Sequence, residues 1–167
     1  QQEVSFFIVY LTGYSPYVPP HLGIATLYNY LHGRFDWIEF SLVDALADAL
    51  DEEQIVKAIN YSRPDILAIT IKTMQVKQAK EIIERVKDIY NPLIICGGNH
   101  VSVSPQEFVR CGADYAIVGE GEEAIEKIIQ HEFGHYEESL DDCVNICTKN
   151  NVERSGFEPK VCVHGSD

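Results

Sequence analysis

Five times along this chain a short apolar run of strand length is followed by a stretch of helical periodicity, and that alternation leaves few architectures open. Residues 6–11 (Phe-Phe-Ile-Val-Tyr-Leu) read as a strand covered on both faces, since they have no polar side to show to water. Residues 37–43, 66–71, 93–96 and 115–118 repeat the pattern. Helices are predicted over 21–32, with Ile24, Leu27 and Leu31 on one face, and over 52–62, with Ile55, Val56 and Ile59. The clearest spans 75–90, where Ala79, Ile82, Ile83, Val86 and Ile89 form one apolar stripe. Shorter ones are predicted over 105–111, with Pro105 near the first helical position, and over 121–130. Such a series of βα units implies an α/β fold. The expectation is an open, mostly parallel, five-stranded Rossmann-like sheet with helices on both faces, in the flavodoxin-like order 2-1-3-4-5.

After the fifth helix the pattern changes. Residues 144–147 and 152–157, separated by Thr148-Lys149-Asn150-Asn151, read as a C-terminal β-hairpin. The expected division is a Rossmann-like domain over 1–135, then an appended hairpin and linker over 136–167 leading toward a further C-terminal domain.

Charge and cysteine content narrow the function classes. With 13 Lys and Arg against 26 Asp and Glu, the chain of 167 residues carries a formal charge of −13. No basic cluster is present to contact phosphates, so nucleic acid is not an expected partner. No run of about 18 apolar residues exists to span a membrane. Cysteines at 96, 111, 143, 147 and 162 form no even framework, which points to a reducing, cytoplasmic setting.

In sheets of this kind ligands bind outside the carboxyl ends of the strands. Here those ends are the loops 12–23, 70–75, 97–102 and 119–122, rich in glycine and hydroxyl groups. Up to Ser102 they carry a single charged side chain, Lys72, which suits a large, mostly uncharged ligand. A phosphoacceptor domain needs carboxylates where this chain has Thr12 and Thr70. Thr12-Gly13-Tyr14-Ser15 matches a flavodoxin phosphate loop poorly, because prolines follow where a helix should begin. Residues 119–124 fit G-x-G-x-x-A, but on the last βα turn, and their three carboxylates repel a pyrophosphate. Glu122 and Glu123 there complement a helix dipole. A flavin- or nucleotide-binding module therefore stays only as an alternative.

His131-Glu132-Phe133-Gly134-His135 spells the zinc-hydrolase pattern H-E-x-x-H. It falls at the end of a helix with Gly134 inside it, so coincidence is the better reading and a zinc hydrolase the weakest alternative. Cys143 and Cys147, if on one strand, sit roughly 13 Å apart at about 3.3 Å per residue, too far to share a metal. No metal ligand and no catalytic residue is expected.

Four segments carry a resemblance. Pro19-Pro20-His21-Leu22-Gly23-Ile24-Ala25-Thr26-Leu27 resembles a P-x-L-G-L-x-x-L helix opening, and Pro64-Asp65-Ile66-Leu67-Ala68-Ile69-Thr70 a P-D-x-V-G-I-S strand. Cys96-Gly97-Gly98-Asn99-His100-Val101-Ser102 resembles G-G-x-H-x-T/S, and residues 114–122 resemble D-Y-V-V-x-G-E-G-E. In that order they are similar to the cobalamin (vitamin B12)-binding domain of cobalamin-dependent radical S-adenosylmethionine proteins. The resemblance implies cobalamin across the carboxyl edge of the sheet, its dimethylbenzimidazole tail reaching down between sheet and helix beside Thr70 and the Gly97-Gly98 turn. The implied cofactor-binding residues are Thr12, Gly13, Tyr14, Pro20, His21, Leu22 and Gly23 in the first loop. Thr70, Lys72, Thr73 and Met74 follow in the second, then Gly97, Gly98, His100 and Val101 in the third. Gly119, Glu120, Gly121 and Glu122 complete the set.

Two departures qualify it. The D-x-H-x-x-G motif that ligates cobalt fails around His21, so no cobalt-ligating histidine is expected. The C-x-x-x-C-x-x-C motif fails because Asn150 stands three residues after Cys147. Iron–sulfur cluster and S-adenosylmethionine are thus expected only in a C-terminal radical S-adenosylmethionine domain outside this chain, with methyl transfer as the expected activity of the whole.

Overall fold

The computed structural model describes residues 3–11, 13, 22–134 and 136–158. Their strands are β1 (Val4–Tyr10), β2 (Ile38–Asp44), β3 (Ile66–Thr70), β4 (Leu93–Gly97), β5 (Tyr115–Ile117) and β6 (Ile146–Thr148). They form one sheet in the order β2-β1-β3-β4-β5-β6. The first five strands are parallel, in the predicted order, and β6 runs antiparallel to β5.

The helices are α1 (Leu22–His32), α2 (Glu52–Ser62), α3 (Val76–Lys87), α4 (Asn99–Val103), α5 (Pro105–Cys111) and α6 (Glu122–Phe133). Strand alternation divides the core. Phe7, Val9, Leu67, Ile69 and Cys96 point to one face, where Ile55 and Ile59 of α2, Ile82 and Ile83 of α3, and Phe108 of α5 cover them. Phe6, Ile8, Ile66, Ala68 and Ile95 point to the other, toward Leu31 of α1 and Ile125, Ile128 and Ile129 of α6.

Local chemistry sets the element ends. Asp51 opens α2 with a capping box: its carboxylate accepts from the Gln54 amide at 2.8 Å, and the Gln54 side chain accepts from the Asp51 amide at 2.9 Å. Helix α3 stops at Lys87, so the predicted stripe is buried through Val86 while Ile89 is 49% exposed. Residues 73–75 form a separate 3-10 turn. Helix α4 was not anticipated, since residues 97–102 carry two glycines and read as a loop.

The predicted C-terminal antiparallel pair is present, but its members are β5 and β6. Residues 152–157 are not a strand. Asn151 interrupts the expected return by accepting from the Thr148 amide at 2.7 Å and donating to the Ile146 carbonyl at 3.0 Å. Val152 and Phe157 instead pack against the core as loop residues.

Two motif aspartates work at the amino edge of the sheet, opposite the carboxyl edge. Asp65 accepts from the amide and hydroxyl of Ser5 at 2.9 and 2.8 Å, pinning the start of β1 to β3. Asp114 accepts from the Ile94 amide at 2.8 Å and pairs with Lys87 and Lys149 at 3.6 and 3.1 Å. Asp114→Ala therefore leaves a partly buried strand amide without its acceptor. Urea denaturation should show a loss of about 1–3 kcal/mol; an unchanged midpoint would show that the bond carries no weight.

Candidate cofactor site

The floor of the site is made by strand register. Ile8, Ala68 and Ile95 lie side by side, and one period further along Tyr10, Thr70 and Gly97 do the same at the carboxyl edge. Both rows face the side covered by α1 and α6. Ala68 and Gly97 are small where their neighbours are bulky, and the missing volume is a cleft of about 480 Å³. Ile8, Ala68, Ile95 and Ile117 form its floor, Ile24 and Leu27 of α1 one wall, and Ile125 of α6 the other. Phe6 and Ile66, one period further in, are fully buried and close it below.

Helix α1 spans this gap because only its far half is anchored. Leu31 is fully buried. The Tyr30 hydroxyl donates to Glu126 of α6 at 2.6 Å, and Arg34 pairs with the same carboxylate at 3.2 Å. The bond to Glu126, with some burial, pushes the Tyr30 phenol up to about 12. The near half of α1, with Ile24 and Leu27 half-buried, lies over the cleft.

The rim is braced by side chains that tie one loop to the next. Gln75, buried between loops, donates to the Leu11 carbonyl at 3.0 Å and accepts from the Lys72 amide at 2.9 Å. Ser102 accepts from the Gly119 amide at 3.0 Å and donates to the Gly98 carbonyl at 3.2 Å, joining the turns after β4 and β5. Gly98 has φ 108°, and a Cβ there would stand 2.7 Å from the Ile71 carbonyl oxygen and 2.8 Å from its nitrogen. Only glycine fits. Gly97 is the opposite case: its Cβ would meet no atom within 4 Å, because it would project into open space.

Of the residues expected at the site, Leu22, Gly23, Thr70, Lys72, Gly97, Gly98 and the 119–122 turn line the cleft. Thr73, Met74, His100 and Val101 are not brought into it. Val101 is fully buried in the core of the opposite face, and Met74 is 71% exposed. His100 sits between Thr73 Oγ1 and Glu107 Oε2, each at 3.3 Å. Lys80, bonded to Glu107 at 2.5 Å, and then His100 hold that carboxyl below its ordinary range. Gly13 lies beside the Gln75 side chain and is not part of the lining. Thr12, Tyr14, Pro20 and His21 lie outside the described residues. Sequence reasoning missed the apolar floor and walls, and Asn99 on the rim. The available signal was Ala68, a small residue in a strand of large ones.

The other motifs lead elsewhere. His131 and Glu132 occupy the last turn of α6, away from the cleft, and the Tyr115 hydroxyl donates to Glu132. His135 lies outside the described residues, among which no group of three or more His, Cys, Asp or Glu could hold a metal ion. Cys143 and Cys147 do not share a strand face: Cys143 precedes β6 and packs on the α1–α6 side, while Cys147 is buried on the other. No helix of the described residues is long and apolar enough to cross a membrane.

The lining fits a ligand with a flat apolar part and neutral hydrogen-bonding arms. It offers open space above Gly97, hydroxyl and amide groups at Thr70 and Asn99, and one ammonium, Lys72, against two carboxylates, Glu120 and Glu122. The net negative charge here repels a pyrophosphate but not the neutral amide arms of a corrin. The family model described as the B12 binding domain matches residues 9–129, which take in every residue of the lining except Ile8. The chain belongs to the B12-binding domain family.

This B12-binding domain is 32% identical over 113 residues to an uncharacterized methyltransferase of Pyrococcus horikoshii, a match covering 66% of the chain and 24% of that protein. Its fold is shared by the cobalamin-dependent S-adenosylmethionine radical enzyme OxsB with aqua-cobalamin bound (TM-score 0.73, 24% identity, 86% of this chain and 20% of that one). It is also shared by the radical S-adenosylmethionine methyltransferase TsrM of Kitasatospora setae with cobalamin and a [4Fe-4S] cluster bound (TM-score 0.71, 15% identity, 96% and 30%). The chain thus spans less than a third of each of these proteins.

The two adjacent glycines of the B12-binding domain should respond oppositely to alanine. Gly98→Ala should cost roughly 1–3 kcal/mol or more in urea denaturation, from strained backbone and the clash with Ile71. Gly97→Ala should stay within about 1 kcal/mol of the parent. Equal losses at both positions would contradict the assigned geometry.

Proposed function

We propose that this chain is the cobalamin-holding module of a radical S-adenosylmethionine enzyme, a methyltransferase, whose cluster and S-adenosylmethionine are held by a C-terminal domain outside the chain. The observation that carries the reading is the apolar, glycine-rimmed cleft between α1, α6 and the carboxyl edge, lying within the stretch matched by the B12-binding family. The relative named as a methyltransferase and the two radical enzymes supply the wider setting.

Bound cobalamin supplies a cobalt centre able to carry a methyl group. The work of this chain is to bind and orient it. Thr70 and Asn99 offer neutral hydrogen-bonding groups to amide arms, Gly97 lets a ligand approach the main chain, and the apolar floor takes an aromatic part. Residues 1–135 would form most of the cofactor domain, completed by β6 and the buried Leu140 and Cys147, and the rest of 136–167 the path toward the catalytic one. The setting is the cytoplasm, consistent with four described cysteines that are all free thiols.

Incubation with hydroxocobalamin, desalting and a visible spectrum test this directly. The account expects close to one corrin per folded chain. Protein that emerges folded and colourless would refute it.

A further inference from the structure

The deep end of the cleft is apolar throughout the described residues. Ile8, Ala68, Ile95 and Ile117 form the floor, and Leu27 and Ile125 flank it. The backbone amides and carbonyls of β1, β3 and β4 at this depth are used in the parallel ladder. Every polar side chain of the lining belongs to the edge row or lies beyond it: Tyr10, Thr70, Lys72, Asn99, Glu120 and Glu122. A ligand group entering past Thr70 therefore finds neither donor nor acceptor among the described residues.

Size adds a second constraint. A cleft of about 480 Å³ has room for a flat bicyclic base and its sugar, while the larger corrin macrocycle with its amide arms would lie at the rim. Resting on the cobalamin reading, we infer that this cleft selects among natural cobalamin relatives by their lower base. It accepts a base with little polar edge, dimethylbenzimidazole or a phenol-type ring, and discriminates against purines. Adenine carries an exocyclic amine and additional ring nitrogens, each of which loses its water on entry and gains no partner. Ala68 is the specificity-determining residue, since its small side chain sets the depth available and its methyl group faces the base.

The test is a binding series on the intact chain with hydroxocobalamin, p-cresolyl cobamide, adeninyl cobamide and cobinamide, which lacks the nucleotide. p-Cresolyl cobamide should bind close to hydroxocobalamin, and adeninyl cobamide about 10- to 100-fold more weakly. Ala68→Ser, which places a hydroxyl on the floor, should narrow that gap. Equal affinity for the adenine and dimethylbenzimidazole forms overturns base selection while leaving the cofactor reading intact. Cobinamide binding as tightly as cobalamin does the same, because it takes the base out of the cleft. If no corrinoid at all, cobinamide included, stays with folded protein, the cofactor reading itself has failed and the inference falls with it.

Discussion

The missing side-chain volume at Ala68 and Gly97 is what the rest of the site depends on. Protein interiors are close-packed, and two small residues in adjacent strands normally draw the covering helix inward. Here α1 cannot follow, because Leu31 and the Tyr30–Glu126 bond fix its far half against the sheet and α6. The gap persists and opens at the carboxyl edge. A void of this kind costs stability, and a bound ligand restores the packing that the sheet and helices lack on their own.

Around that gap the loops are held, not loose. Ser102 ties together the two glycine turns that carry the family-like motifs, and Gln75 ties the end of β1 to the loop after β3. The close approach of Gly98 to Ile71 locks the turn after β4 onto its neighbour. A rim braced in advance spends less of the binding energy on ordering itself. The same motifs contain residues of a second kind: Asp65 and Asp114 stand at the far edge and fix the starts of neighbouring strands. The motifs thus record both the construction of the sheet and the shape of its ligand edge.

Much of this was legible in the sequence because parallel strands buried on both faces read as unbroken runs of β-forming residues. The periodicity of Ala79, Ile82, Ile83 and Val86 located α3 because that helix buries a single face. The glycine turns of the rim were found because glycine has few other reasons to follow a buried strand. What escaped was set by neighbours and not by local pattern. Residues 152–157 stand where the return strand of a hairpin would, with Val152 and Phe157 at its ends, yet Asn151 takes the backbone partners a hairpin would need. Helix α4 follows two glycines and has no side-chain cap. The floor escaped because isoleucines in a strand look alike whether a helix or a cavity lies above them. His100 and Val101 sit in the right loop but point away from the cleft, a direction fixed by the turn of α4.

The central claim is that the space above Gly97 receives the cofactor. The most direct measurement is the affinity of a Gly97→Leu variant for hydroxocobalamin, with its urea midpoint as the control for folding. The account predicts a near-parental midpoint and affinity reduced by roughly 10- to 100-fold, since the new side chain fills the cleft and touches little else. A folded variant that binds hydroxocobalamin as the parent does would contradict it.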